Sequence, residues 1–360
     1  MIADENAQAD AMPLVSIVIT VFDRLKYIDQ AIRSALGQTY PHIQVIVVDD
    51  GSRTEIGASI APYTDRIEFY RQDNAGMASA RNLGMRQARG RFLLFLDDDD
   101  YLEFQAVEFL LRGIEQGKCL AWAAGGFRYV DDMGRSERGP RFFQGGVGDV
   151  YWEMIERCCI SCPSAVLVRA EVLRAVGGFD ESIRLSEDYD LWLKLARDHA
   201  LVFTEEIVTN YRTHPGQNSR TGWERHYESH LRVLREHEKR ARPGSEARFR
   251  EAIASVCFQY ADSLDYHHQP QAARAYWRQS LAERGKNSDS RIVLRIIKSY
   301  IPSTVRRSLR GVRVALLSGR TKLRGLLPTV RPAWKTVGSD SSFHDTDLVG
   351  TDQELIAGLR

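Results

Sequence analysis

The sequence predicts an α/β fold: a mixed, mostly parallel, Rossmann-like sheet flanked by helices and followed by a C-terminal α-helical region. Three observations predict it. Short β-branched runs alternate with helically spaced apolar residues over the first hundred positions. Polar residues gather at the ends of those runs. Beyond Trp223 the apolar spacing is helical throughout.

Val15 to Val21 is the first strand by length and residue type. Tyr27, Ile28, Ala31, Ile32, Ala35 and Leu36 recur at helical spacing and stop at Gly37, with Pro41 beyond. A second strand, Val45 to Val48, runs into Asp49-Asp50-Gly51-Ser52, and a shorter piece covers Ile67 to Tyr70. A small-residue helix from Ala78 to Ala88 ends before Gly90, and Phe92 to Leu96 then meets four aspartates. Uninterrupted apolar strands separated by helices imply a parallel sheet covered on both faces. In such sheets ligands sit outside the carboxyl ends of the strands. Thr20 and Phe22, Asp49 and Asp50, and Asp97 to Asp100 all fall at such ends.

From Gly113 to Tyr211 the pattern is mixed, with strands expected over Trp122 to Val130 and Pro163 to Val168. A short helix through Tyr189, Leu191, Trp192 and Leu195 has Ser186 as its expected N-cap. Helices follow at Trp223 to Leu234, Phe249 to Tyr260 and Ala272 to Leu281. The last resembles one tetratricopeptide-like helix pair, for which ordinary helical packing is the competing and favoured reading.

With 360 residues, 43% hydrophobic and 27% charged, the chain suits a soluble protein of about two domains and excludes disorder throughout. No run reaches the ~18 apolar residues of a spanning helix. Met1 to Met12 lacks the basic start and apolar core of a signal peptide, so a cytoplasmic location is expected. Cys119, Cys158, Cys159, Cys162 and Cys257 do not form a disulfide framework. Cys158-Cys159-x-x-Cys162 has no second pair at zinc-finger spacing, so packing is favoured over zinc. The net charge of +1 conceals an asymmetry: twelve Lys/Arg and no acid lie between Ser290 and Ser339, while 1–289 carries a net −7.

No P-loop, GxGxxG, HExxH or GxSxG occurs, which removes the main support for kinase, dehydrogenase, zincin and hydrolase readings. What stands out is Asp97-Asp98-Asp99-Asp100 directly after an apolar strand. Four adjacent acids repel one another unless a cation holds them. Oxygen ligands without nearby Cys or His select Mg²⁺ or Mn²⁺ over zinc. A solvated acidic turn is the competing reading, and it suits four acids ending a buried strand poorly.

These residues lie among five motifs that occur in order between Pro13 and Asn218. They are Val15 to Phe22; Ser34 to Tyr40 leading into Val47 to Ser52; Asn74-Ala75-Gly76 with Ala80-Arg81-Asn82; Leu96 to Asp100; and Gly177 to Glu181 followed by Glu187 to Trp192. In these motifs the sequence resembles the inverting family 2 glycosyltransferases, which have the GT-A fold and use nucleotide-diphospho-sugars. The resemblance implies that Thr20 and Phe22 line the base pocket, with the Phe22 ring stacked on the base. It implies that Asp50 accepts the N3–H of uracil, favouring a UDP-sugar donor. Arg81 would lie beside the nucleotide, suited to the diphosphate or to pairing with the aspartates, with a helix-surface salt bridge as the alternative. Asp97 and Asp98 would face the ribose and donor sugar, and Asp99 would hold the Mn²⁺ or Mg²⁺. The run of four leaves open a slip of one residue in that register. Asp100 would cap a helix or support its neighbours.

Asp188 would be the general base that takes the acceptor proton. An acidic first helical turn explains Glu187 and Asp188 equally well without the resemblance. His214 matches a position where relatives place a further metal or diphosphate contact, against the simpler reading of an exposed loop histidine. The expected acceptor is a glycan or lipid-linked hydroxyl in bacterial surface polysaccharide synthesis.

The expected layout is a disordered 1–12, a GT-A domain over 13–220, a helical region over 221–289, a basic amphipathic helix over 290–335 and a flexible tail over 336–360. Val305, Leu309, Val312 and Leu316 among four arginines suit a helix lying on anionic membrane at the inner face of the cell membrane, or one packed on its own domain. A nucleic-acid role lacks stacking residues there, with Tyr300 and Trp334 alone. A sugar-1-phosphate nucleotidyltransferase would need a glycine-rich basic loop where Thr20 to Arg24 stands. The alternative from another class is a noncatalytic nucleotide-sugar sensor or scaffold.

Overall fold

The computed structural model describes residues 12–116, 120–143, 147–217, 222–285 and 290–300. The described residues divide into two compact units, one up to Ala252 and one from Ile253.

The first unit is built on β1 (Val15–Val21), every residue of which is buried. It pairs in parallel with β2 (Ile43–Asp49) and β4 (Phe92–Asp97), and β2 pairs in parallel with β3 (Glu68–Arg71). Apolar side chains on both faces need cover, and helices supply it. Helix α1 (Leu25–Leu36) buries Tyr27, Ile28, Ala31, Ile32 and Ala35, the spacing read from the sequence. After α2 (Gly57–Ile60) comes α3 (Met77–Gln87), which lies close against β1. A Cβ added at Gly84 would stand 2.2 Å from Val18 Cγ1, so this approach requires glycine.

Past β4 the sheet changes direction. The strand order is β3-β2-β1-β4-β8-β6-β9-β5, with β7 on β9. Here β5 is Tyr101–Leu102, β6 Trp122–Val130, β7 Val147–Gly148, β8 Val166–Arg169 and β9 Leu201–Arg212. β8 runs antiparallel to both β4 and β6, β6 runs parallel to β9, and β5 and β7 are antiparallel to β9. The mixed sheet is the expected one, with its parallel part confined to the first hundred residues and the β6–β9 pair. β9 and helix α4 (Ala106–Gln116) were not legible. Glu205 and Glu206 interrupt the apolar run of β9.

Two local expectations are corrected. Pro163 to Ala165 forms a 3₁₀ turn and the strand starts only at Val166, because proline has no N–H for the ladder. Ser186 stands at the N-cap of its helix in a left-handed conformation, and its side chain makes no capping bond. Cys158, Cys159, Cys162 and Cys257 form no disulfide among the described residues, and Cys119 lies outside them. Among the described residues the three aspartates Asp97, Asp99 and Asp100 form the one cluster that suits a metal, and no cysteine joins it.

The helices that follow are α5 (Tyr151–Glu156), α6 (Ala170–Ala175), α7 (Glu187–Asp198), α8 (Trp223–Lys239) and α9 (Glu246–Tyr266), then α10 (Pro270–Arg284) and α11 (Ser290–Ser299). Within the second unit, Trp277 Nε1 donates to Asp262 at 3.0 Å, Ser280 Oγ donates to the Ala254 carbonyl at 2.7 Å, and the Tyr260 and Tyr276 rings lie 4.4 Å apart. This is ordinary helical packing. The greater part of the expected basic helix, 301–335, lies outside the described residues, as do the tail over 336–360 and positions 1–11. No helix among the described residues is long and apolar enough to cross a membrane.

Candidate active site

The register of the parallel strands brings their polar ends together. Thr20 stands opposite Val48 on one side and Asp97 on the other, and Val21 opposite Asp49. Just past β1, Phe22 is 41% exposed. At the end of β2, Asp49 accepts the Ser52 N–H at 2.8 Å and Arg71 Nη1 at 2.7 Å. Asp50 accepts four bonds: Gln72 Nε2 at 2.7 Å, the Ala75 and Gly76 N–H groups at 2.9 Å each, and Asn74 Nδ2 at 3.2 Å. Gly51 permits this turn, since its φ is +75° and a Cβ would meet Asn74 N at 2.6 Å. Asp50 is therefore a rigid acceptor, with both carboxylate oxygens already engaged by the 72–76 loop.

The four aspartates point to different partners. The Asp97 N–H is tied to Ser164 Oγ at 3.1 Å. Asp98 Oδ1 lies 3.2 Å from Arg24 Nη2, while its Oδ2 is buried with no hydrogen-bond partner. Asp99 Oδ2 pairs with Arg24 Nη1 and lies 3.0 Å from His214 Nε2. Asp100 accepts the Ser164 hydroxyl at 2.7 Å and the Arg212 N–H at 3.0 Å. Burial pushes the Asp98 carboxyl well above the usual range against the pull of Arg24. Burial also raises Asp100, and the charges of Asp99 and Asp97 add to it. For Asp99 burial is opposed by the His214 hydrogen bond and the Arg24 charge, and these hold it below its ordinary value.

Carboxylate oxygens of Asp97, Asp99 and Asp100 lie within 4.8 Å of one another. An all-oxygen set of this size, with an orphaned Asp98 oxygen beside it, fits a hard divalent cation such as Mg²⁺ or Mn²⁺. Membership differs from the expectation. Asp97 and Asp100 join Asp99 in the cluster, whereas Asp98 does not. His214 is buried beside Asp99, with its ring 5.1 Å from that of Tyr27, which corrects the reading of an exposed loop histidine.

Arg24 and Arg212 escaped the sequence reading. A signal for Arg24 existed: a cation at the N-cap of α1 gains nothing from the helix dipole, so it needs an acid elsewhere. Arg212 is fully buried and donates to the carbonyls of Asp99, Asp131 and Asp132 and to Gln30. It clamps the aspartate loop, and no local pattern marks it.

Arg81 links the aspartates to the second acidic motif. It is 1% exposed, and its Nη2 and Nη1 each lie 2.7 Å from an acid, Asp97 and Glu187 respectively. Of the readings offered for Arg81, the pairing with the aspartates is the one seen, and it is a buried bridge in place of a helix-surface salt bridge. One helical position on, the Asn82 amide pairs with the backbone of Phe179 at 2.9 and 3.0 Å, which docks the Gly177–Glu181 turn onto α3. At the start of α7, burial raises the Glu187 carboxyl to about 7 even with Arg81 beside it. Burial also raises Asp188, with Arg81 opposing, and Asp188 Oδ1 accepts the Tyr189 N–H at 2.8 Å. The bridge thus separates the two acids: Glu187 is held by Arg81, and Asp188 is left half-buried beside the aspartate cluster.

A Rossmann-like sheet with clustered carboxylates at its carboxyl edge, faced by a second acidic pair on a helix start, defines a glycosyltransferase of the GT-A fold. Residues 16–171 match the family model described as glycosyl transferase family 2. It is 29% identical over 216 residues to an uncharacterized glycosyltransferase of Rickettsia typhi, covering 58% of this chain and 67% of that one. It is 30% identical over 235 residues to the chondroitin synthase of Escherichia coli, covering 64% of this chain and 34% of that one. The chain therefore spans about a third of that synthase's length. Among solved structures, TarS 1-349 of S. aureus in complex with UDP-GlcNAc matches with a TM-score of 0.58 at 16% identity, over 85% of this chain and 92% of that one. A mannosyltransferase of Pyrobaculum calidifontis in complex with GDP-Man and Mn²⁺ matches with a TM-score of 0.55 at 14% identity, over 84% and 81%. At these identities the structural likeness carries the fold alone.

Proposed function

We propose that this glycosyltransferase moves a sugar, with inversion, from a nucleoside diphosphate donor to a hydroxyl of a glycan or lipid-linked acceptor in surface polysaccharide synthesis, with UDP-sugars favoured as donors. The observation that carries the reading is the Arg81 bridge, which joins the aspartate cluster to the Glu187–Asp188 pair in one site. Asp188 takes the proton of the acceptor hydroxyl as its oxygen bonds to the anomeric carbon, and the bond from that carbon to the diphosphate breaks on the opposite face. Asp97, Asp99 and Asp100 would hold a Mn²⁺ or Mg²⁺ ion, whose positive charge favours departure of the diphosphate. The buried, unpartnered Asp98 oxygen suits a donor hydroxyl such as that of a ribose. Asp50, Thr20 and Phe22 receive the base. The UDP-GlcNAc bound to TarS and the name of the chondroitin synthase relative support a UDP-sugar and a polysaccharide product. The Mn²⁺ of the mannosyltransferase supports a divalent ion.

Calorimetric binding of UDP, GDP, dTDP and CDP with Mn²⁺ or with EDTA tests the donor and the metal. UDP binding that requires Mn²⁺ and is lost in Asp99→Ala is the expected outcome. A folded chain that binds none of the four sinks the reading and favours the noncatalytic scaffold. Product anomeric configuration by NMR decides inversion. Peripheral membrane contact through 290–335 is tested by liposome co-sedimentation of the full chain against 1–289.

A further inference from the structure

We propose that Arg24 is a resident counter-cation of the aspartate cluster that must give way to the divalent ion, so that metal and nucleoside diphosphate bind with positive coupling. The inference rests on the metal-dependent reading above. Arg24 Nη1 is paired with Asp99 Oδ2, and its Nη2 lies 3.2 Å from Asp98 Oδ1. The same Asp99 oxygen lies 3.0 Å from His214 Nε2. Two donors fill the lone pairs of a single carboxylate oxygen, so an ion bound at that oxygen displaces one of them.

The two donors differ in how firmly they are held. His214 is 6% exposed, with its ring against Tyr27, whereas the Arg24 side chain is 25% exposed and springs from the loop between β1 and α1. Arg24 is the one that leaves. Its own helix gives it no reason to stay, since a guanidinium at the positive end of α1 is held by the acids alone. The acids also remain under-satisfied with Arg24 in place, as the buried Asp98 Oδ2 has no partner.

Displacing Arg24 breaks two charge-assisted bonds, and a divalent ion arriving alone returns nothing to the guanidinium. A diphosphate does, because its oxygens match the guanidinium fork. Mn²⁺ alone therefore binds weakly, and Mn²⁺ with UDP binds tightly.

The test is Mn²⁺ binding to the full chain, read by electron paramagnetic resonance with and without UDP, for the native chain, Arg24→Met, Arg24→Lys and His214→Gln. Circular dichroism verifies that each is folded, and Arg24→Lys keeps the test available if the methionine variant is not. UDP is expected to tighten Mn²⁺ binding to the native chain by roughly tenfold or more. Arg24→Met is expected to bind Mn²⁺ without UDP about tenfold more tightly than the native chain, with a smaller further gain from UDP. Arg24→Lys falls between, because a flexible ammonium lacks the planar fork that holds two acids at once in the native chain. His214→Gln does not show the gain. Native-like Mn²⁺ affinity in both Arg24 variants without UDP, in a chain where UDP still recruits Mn²⁺, overturns the proposal and leaves the metal reading standing. Absence of Mn²⁺ binding to the native chain with UDP overturns both.

Discussion

Arg81 Nη1 lies 2.7 Å from Glu187 Oε1, a contact between residues 106 positions apart. Its other terminal nitrogen holds Asp97 at the same distance. One buried guanidinium thereby fixes the spacing between the aspartates at the end of β4 and the helix that carries Asp188.

Arg81→Met leaves Glu187 buried without its cation. Removing one partner of a buried pair costs about 3 to 5 kcal/mol, which chemical denaturation will read as a lowered midpoint. Adding Glu187→Gln to Arg81→Met recovers part of the loss, because the stranded charge is gone. A double variant no more stable than Arg81→Met argues against the pairing as the source of the effect.

Asp188→Asn removes the proposed base and leaves the donor side intact. Transfer is expected to fall roughly 10²- to 10⁴-fold while calorimetric UDP binding stays near the native value. Equal losses in binding and turnover would place Asp188 in the donor site instead.

Asp50→Asn replaces one acceptor oxygen with an amide donor that faces the Gln72, Asn74, Ala75 and Gly76 donors. An unsatisfied or opposed buried donor costs about 1 to 3 kcal/mol. The variant is expected to lose that stability in denaturation and to weaken UDP binding. Unchanged stability would mean that the loop does not depend on this carboxylate.

His230 titrates against folding. Its ring stacks on Tyr189 at a centroid distance of 4.2 Å, and burial lowers its pKa to about 4 from an ordinary value near 6.5. Between those values the unfolded chain binds the proton and the folded chain does not. The contribution is therefore present above pH 6.5 and lost as pH falls toward 4, a swing of roughly 3 kcal/mol. His230→Phe keeps the stack and is expected to flatten that part of the stability profile. An identical profile in His230→Phe would assign the acid loss to other groups.

Much of the donor half was legible because it is local. β1 runs from Val15 to Val21 as read, α1 buries the helically spaced set through Ala35, and the four aspartates end a buried strand. Period and strand-end chemistry depend on neighbours within a few residues, and one sequence shows those directly. β9 was not legible, because its polar centre breaks the apolar run and its pairing with β6 lies far away in the chain.

Side-chain partnership is the other thing that sequence could not decide. Arg81 suited a diphosphate or an aspartate equally, Glu187 and Asp188 were interchangeable, and Arg24 carried no motif. The sequence by itself determined the fold class and set the acidic motifs at the strand and helix ends. Only the tertiary structure decided that Arg81 bridges Asp97 to Glu187, that Asp188 is the acid left over, and that Arg24 holds Asp99. The reason is physical: charge pairing depends on distance and burial, and both arise only when segments remote in sequence pack together.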